Sequence, residues 1–283
     1  MPISLTDNVS SAENQQETPM LLSEDPQRLY AKCPTEKKIT EEEAILLGIL
    51  YTDGCLSKKS KSCWRFYLSN TSFKIIQTFK DCMIKIFGLD SRRIRIRQQI
   101  VNDKPFYKAV VDSAYCGTYL TAKYGTFRTL AFKGTGGEKI YPFARLPFTS
   151  EMDFHLISLF LKAAFSCDGG VNLYAAKSKS NYRFLIRNAY LACHHPQLQL
   201  DYQKLLGTLG VKSKILMRDN RILLQGEEGL RGFRDKVGFL DGVKFTQHSV
   251  FWQGWEKNEV LKLALSSYGN PKKILSFSQF SGQ

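Results

Sequence analysis

Acidic residues are scarce in this chain. Twenty-six Asp and Glu stand against 40 Lys and Arg over 283 residues, a formal charge of +14. The deficit is uneven: residues 1–28 hold Asp7, Glu13, Glu17, Glu24 and Asp25 against Arg28 alone, so the rest of the chain carries +18. A folded body with that excess suits a polyanionic partner. Long apolar runs are also lacking; none approaches the ~18 residues that would cross a bilayer, so no membrane partner is expected. The seven cysteines form no CxxC pair, which argues against a disulfide framework or a zinc site. Of the four histidines, only His194 and His195 are neighbours. The first residues show no basic stretch followed by an apolar one, as a secretory signal would require. The expectation is an intracellular protein, in a prokaryotic cytoplasm or nucleoid, or in an organelle if encoded there.

Residues 1–28 are polar and poor in aromatics, and read as a disordered acidic tail. Beyond them the chain reads as one pattern written twice. Thr40-Glu41-Glu42-Glu43 offers a capping box, and a helix apolar on nearly every face runs from it to Asp53-Gly54. Ser150-Glu151-Met152-Asp153 offers a similar start, and an equally apolar helix runs to Asp168-Gly169. The two aspartates are 115 residues apart. After each come two strand-like stretches, a helix stopped at glycine, a hairpin and another helix. The reading is an α+β fold of two pseudo-symmetric α-β-β-α-β-β-α repeats, at 29–133 and 150–283, joined by a glycine-rich linker at 134–149.

Charge sits on the strands. In Arg93-Ile94-Arg95-Ile96-Arg97 the side chains alternate, placing three arginines on one face and two isoleucines on the other. Arg65 shares a face with Tyr67 and Ser69, and Arg183 and Arg187 share one on a later strand. Lys59, Lys61, Lys177, Lys179, Lys214, Arg218 and Arg221 fall at strand ends and tips. Such ribbons suit the major groove of DNA, and the basic residues are read as its contacts.

Asp53 and Asp168 break a rule. A carboxylate in the last turn of a helix opposes the dipole, whose C-terminal end is negative. Two such violations at corresponding places require a reason. Packed side by side, the helices would bring both carboxylates together, which calls for a shared proton or a cation. Mg²⁺, or Mn²⁺, fits as a hard ion suited to phosphate chemistry.

Leu46-Leu47-Gly48-Ile49-Leu50-Tyr51-Thr52-Asp53-Gly54 resembles the nine-residue motif that names the LAGLIDADG homing endonucleases. Leu161-Lys162-Ala163-Ala164-Phe165-Ser166-Cys167-Asp168-Gly169 resembles a second, degenerate copy, with Lys162 and Ala163 where the family has small residues and Gly. The resemblance covers roughly residues 38–268. It implies a monomeric saddle with the motif helices at its centre and two antiparallel sheets on the DNA. It implies that Asp53 and Asp168 bind divalent metal, with the carbonyls of Thr52 and Cys167 assisting. It implies staggered cleavage of both strands of a duplex target. It also implies basic or polar groups around the attacking water, for which Asn70, Lys74 and His194 stand at the right junctions, with His195 beside the last. A lysine after the last hairpin and helix of each half is implied too, and Lys139 and Lys244 suit it. Two further readings stay open on the same fold: a maturase acting on intron RNA, and a DNA-binding regulator without catalysis.

Overall fold

The computed structural model describes residues 38–60, 63–101, 104–148, 153–177, 183–246 and 249–269. The acidic tail, Lys61, Lys179 and the Ser150–Met152 helix start lie outside these residues. The first repeat runs α1 (Glu41–Leu50), β1 (Gly54–Ser60), β2 (Cys63–Asn70), α2 (Phe73–Phe87), β3 (Arg95–Val101), β4 (Lys104–Asp112) and α3 (Ala114–Tyr124). A short hairpin, β5 (Phe132–Lys133) and β6 (Lys139–Ile140), follows. The second repeat runs α4 (Phe154–Asp168), β7 (Gly169–Lys177), β8 (Arg183–Ala192), α5 (Pro196–Thr208), β9 (Lys214–Leu216), β10 (Arg221–Gln225) and α6 (Gly226–Lys236). A further helix, α7 (Lys257–Gly269), has no counterpart among the expected elements.

The two sheets share one antiparallel topology, β1-β2-β4-β3 and β7-β8-β10-β9. Their registers also correspond. Gly54, after the first aspartate, faces Leu68, and Gly169, after the second, faces Leu191. Each sheet buries one face. Phe66, Leu68, Ala109 and Val111 pack inward in the first, and Val171, Leu173, Ala189, Leu191 and Ile222 in the second.

The capping box forms: Thr40 Oγ1 accepts from the Glu43 amide at 3.2 Å, and Glu43 Oε2 accepts from the Thr40 amide at 3.0 Å. Buried Glu43 also takes bonds from Tyr119 (2.6 Å) and Lys123 (3.0 Å), tying α1 to α3. The second helix starts later than expected, at the Asp153 cap, whose carboxylate accepts from the His155 amide at 2.8 Å. Along their length α1 and α4 touch. A Cβ on Gly48 would run into the Phe160 carbonyl and lie 2.7 Å from the Ala163 Cβ, so the glycine sets the helix separation.

One expected strand begins late. Arg93 belongs to a tight turn over Ser91–Arg93, and β3 starts at Arg95. The Asp90 carboxylate accepts from the Arg92 amide at 2.9 Å, and buried Ile94 anchors the turn to the core. Arg93 is exposed but stands off the arginine row.

Candidate active site

Asp53 and Asp168 converge where α1 and α4 end together. Asp168 is the last residue of α4, while Asp53 stands one turn beyond Leu50. Both are half-buried, and their carboxyl groups come within reach of a shared proton. Burial raises the pKa of Asp168 to about 7, with the neighbouring Asp53 charge adding to it. Burial also raises Asp53, opposed by the Asn70 amide and the Cys167 thiol. Asn70 Nδ2 donates to Asp53 Oδ2 at 2.6 Å, while Asn70 Oδ1 accepts from the Ser72 amide at 2.6 Å. The asparagine at the end of β2 therefore fixes one carboxylate. Thr52 spends its hydroxyl on the Gly48 carbonyl at 2.8 Å, and the Cys167 thiol is pushed well above its usual range by burial and the adjacent carboxylates.

The glycine after each aspartate is dictated by space. A Cβ on Gly169 would meet the carbonyls of Phe165 (2.5 Å) and Tyr190 (2.7 Å), and one on Gly54 would meet the Leu50 Cα at 2.7 Å. The chain turns from helix to strand with no room for a side chain.

The centre also holds a residue that sequence reasoning missed. Lys257, buried in the first turn of α7, donates to the carbonyls of Ser166 (2.7 Å) and Gly169 (2.6 Å). It supplies the cation that the C-terminal end of α4 lacks in its own sequence. Burial lowers its pKa to about 8, against the opposing pull of Cys167, Asp53 and Asp168. A lysine in a helix's first turn opposes the dipole just as the aspartates do. That was the available signal.

Other expected residues divide clearly. Lys244 is exposed and lines a cavity of about 220 Å³ with Asp53, Asn70, Cys167 and Lys257. Lys74 lines the cavity next to it. Lys139 is exposed on β6, paired with Lys133, and lines none of the cavities described around the aspartates. His194 is exposed and lines neither cavity; the register puts Cys193, not a histidine, in the place of Asn70. Its neighbour His195 is structural. Buried, it caps α5 through Nδ1 and the Leu198 amide at 3.3 Å, and its Nε2 lies 2.8 Å from the Pro142 carbonyl.

The open sheet faces carry basic residues, with two departures from expectation. Arg65 (2.8 Å), Arg95 (3.0 Å) and Lys59 (3.5 Å) all converge on Asp112, which holds part of their charge and has its own pKa lowered to about 2 by Arg65. Arg97, Lys214, Arg218 and Arg221 remain exposed. Arg187 points the other way. It shares the face of buried Ala189 and Leu191, donates to Ser267 Oγ at 2.6 Å and Ser267 O at 3.0 Å, and lies 4.6 Å from the Tyr268 ring. Strand alternation puts Arg187 on the face of Arg183 but does not show that α7 covers it. Lys177 and Arg183 pair as the last residues of their hairpin arms; their side chains lie outside the described residues. Register also reveals matched pairs: Lys108 lies over Tyr67 at 5.9 Å in one sheet, and Arg221 over Tyr190 at 4.8 Å in the other.

Comparison with known proteins finds one family model on the second repeat. Residues 155–238 match the model of the LAGLIDADG-like domain. No curated protein matches the chain in sequence. A mutant of I-SmaMI resembles this chain with a TM-score of 0.49 and 12% identity, over 83% of this chain and 94% of that one. The LAGLIDADG meganuclease I-AabMI, bound to uncleaved DNA, gives 0.48 and 14%, over 85% and 94%. I-DmoI in complex with DNA and Ca gives 0.44 and 14%, over 70% and 88%. This chain carries a LAGLIDADG-like domain at residues 155–238.

Proposed function

We propose that the chain is a metal-dependent, site-specific double-strand DNA endonuclease of the homing type. One observation carries the reading: two half-buried carboxylates, one from each repeat, meet at the junction of two sheets with basic open faces. Among the described residues no three His, Cys, Asp or Glu side chains are grouped to hold a metal. The donor set is therefore two hard oxygen ligands. That suits Mg²⁺ or Mn²⁺, which bind through one or two carboxylates and complete their shells with water and substrate phosphate. When bound, such an ion would lower the pKa of a water and neutralise charge on the phosphate.

The chain's own residues prepare the site. Asn70 holds Asp53 in one orientation, and Lys257 fixes the end of α4 that presents Asp168. The carbonyls of Thr52 and Cys167, one residue before each aspartate, would add further oxygen donors. Lys244 presents an ammonium to the Asp53 side of the centre, where it can stabilise a departing oxygen. Arg97 and Lys214, exposed on different sheets, would hold phosphates on either side of the cut. Both aspartates come from one chain, so a monomer suffices, and each serves one strand.

A second reading, DNA binding without cleavage, draws on Lys257: a resident cation near two carboxylates able to share a proton leaves the centre partly neutralised without metal. One experiment separates the two. A library of long duplex DNA is incubated with the protein and Mg²⁺, and the ends produced are sequenced, with Asp53→Asn and Asp168→Asn alongside. The endonuclease reading expects staggered ends at one site, lost in either variant. Tight DNA binding without cleavage supports the second reading.

A further inference from the structure

A larger cavity, of about 390 Å³, adjoins the small one that holds Asp53; the two share Lys244 among their lining residues. It is formed where the start of α2, the start of β4 and the connection between α6 and α7 meet. Its walls combine Lys74, Lys104 and Lys244 with the rings of Phe73, Tyr107 and Phe245, and no acidic side chain lines it among the described residues. Phe73 and Tyr107 pack 5.2 Å apart at 57°. Phe73, the first residue of α2, is 49% exposed. Lys74 stands in the first turn of α2 against the helix dipole, with no acid in that turn to compensate. The opposite wall is braced. The Phe245 amide donates to the Trp255 carbonyl at 2.8 Å, and the Lys257 amide to the Val243 carbonyl at 2.9 Å.

Three lysines and three aromatic residues lining one cavity match one chemical class, a phosphate attached to a planar base. Lysines bind phosphate as point charges and need no bidentate geometry. The volume falls in the range of ligand pockets, about 300–1,000 Å³. A base pair with its two backbones does not fit such a space, whereas one unpaired nucleotide does. We propose that this cavity binds a single unpaired nucleotide, its phosphate among Lys74, Lys104 and Lys244 and its base against Phe73 and Tyr107. The site goes beyond the endonuclease reading and requires no cleavage.

The test measures anisotropy of a fluorescein-labelled single-stranded trithymidylate with the full chain in EDTA. Phe73→Ala and Tyr107→Leu should each weaken binding about five-fold or more, the loss expected when a stacking ring is removed. Phe73→Trp should retain it. Lys104→Ala should weaken it and flatten its salt dependence. Since Phe73 is half-exposed, its replacement leaves the core filled, and circular dichroism checks each variant's fold. Failure of the wild type to bind overturns the proposal. So does unchanged affinity in both aromatic variants, because general charge would then account for the binding. Arg97→Ala provides a separate arm: it should weaken duplex DNA and leave the trinucleotide unchanged. Trinucleotide binding through the cavity with no duplex binding would refute the endonuclease reading while sustaining this one.

Discussion

Asp168 is the residue at which the physical chemistry is most exposed. Its pKa is raised to about 7 by burial and by Asp53. In the unfolded chain it titrates near 3.9. Between those values the folded protein keeps a proton that the unfolded chain has released, so metal-free stability falls as pH rises through that window. Thermal unfolding at pH 5 and pH 8 should show this fall, and Asp168→Asn should reduce it and raise the melting temperature at pH 8. Equal pH dependence in wild type and variant would remove the buried carboxylate from the account. Lys257 supplies the complementary prediction. Its removal leaves two carbonyls and two carboxylates without their buried cation. Lys257→Ala should therefore cost about 3–5 kcal/mol in urea unfolding, the scale of breaking a buried charge pair. The aspartates were legible in the sequence because each violates the helix dipole in a matching place. Asn70 is indicated only through the family resemblance, as a group near an attacking water, and its bond to Asp53 has no signal in the sequence. Lys257 offered only its place against the dipole of its own helix; that it serves α4, some ninety residues earlier in the chain, nothing local shows.

Helices and strands were read well where local signals dominate. The capping box at Thr40, the glycine stops after α2 and α5, and the strand pairs around each motif all follow from nearby residues. Misreadings came where the core overrode alternation. Ile94 is drawn inward ahead of β3, which takes Arg93 out of the arginine row. Arg187 turns beneath a helix the repeat pattern did not contain. At this scale the α1–α4 contact is the critical one. Gly48→Ala forces a methyl against the Phe160 backbone and the Ala163 side chain, so it should destabilise by at least about 1–3 kcal/mol. Gly207→Ala, in α5 with open space around it, should be neutral or stabilising by up to about 1 kcal/mol. Denaturant midpoints of the two variants compare close helix packing with helix propensity alone. A Gly48→Ala protein as stable as the wild type would mean that the helices do not need this separation.

Over the whole molecule, two sheets of identical topology flank one acidic centre in a chain of charge +14. The repeats share strand order and the Tyr67–Lys108 and Tyr190–Arg221 pairs, yet they differ at the centre, where Asn70 in one half faces no equivalent amide in the other. The basic faces should govern binding to duplex DNA. Arg97→Ala should weaken binding across sequences and lower the slope of log affinity against log salt by about 1. Arg187→Ala should leave that slope unchanged and destabilise the fold, since its partners are Ser267 and Tyr268. Equal slopes for wild type and Arg97→Ala would place the DNA elsewhere. The proposed endonuclease needs Asp53 and Asp168 to form one cation site from two halves of one chain. Calorimetric titration of Mn²⁺ into the wild type, Asp53→Asn and Asp168→Asn tests it most directly. The account predicts saturable binding to the wild type that is lost or severely weakened in either variant. Binding that survives both substitutions, or no saturable binding to the wild type, would contradict it.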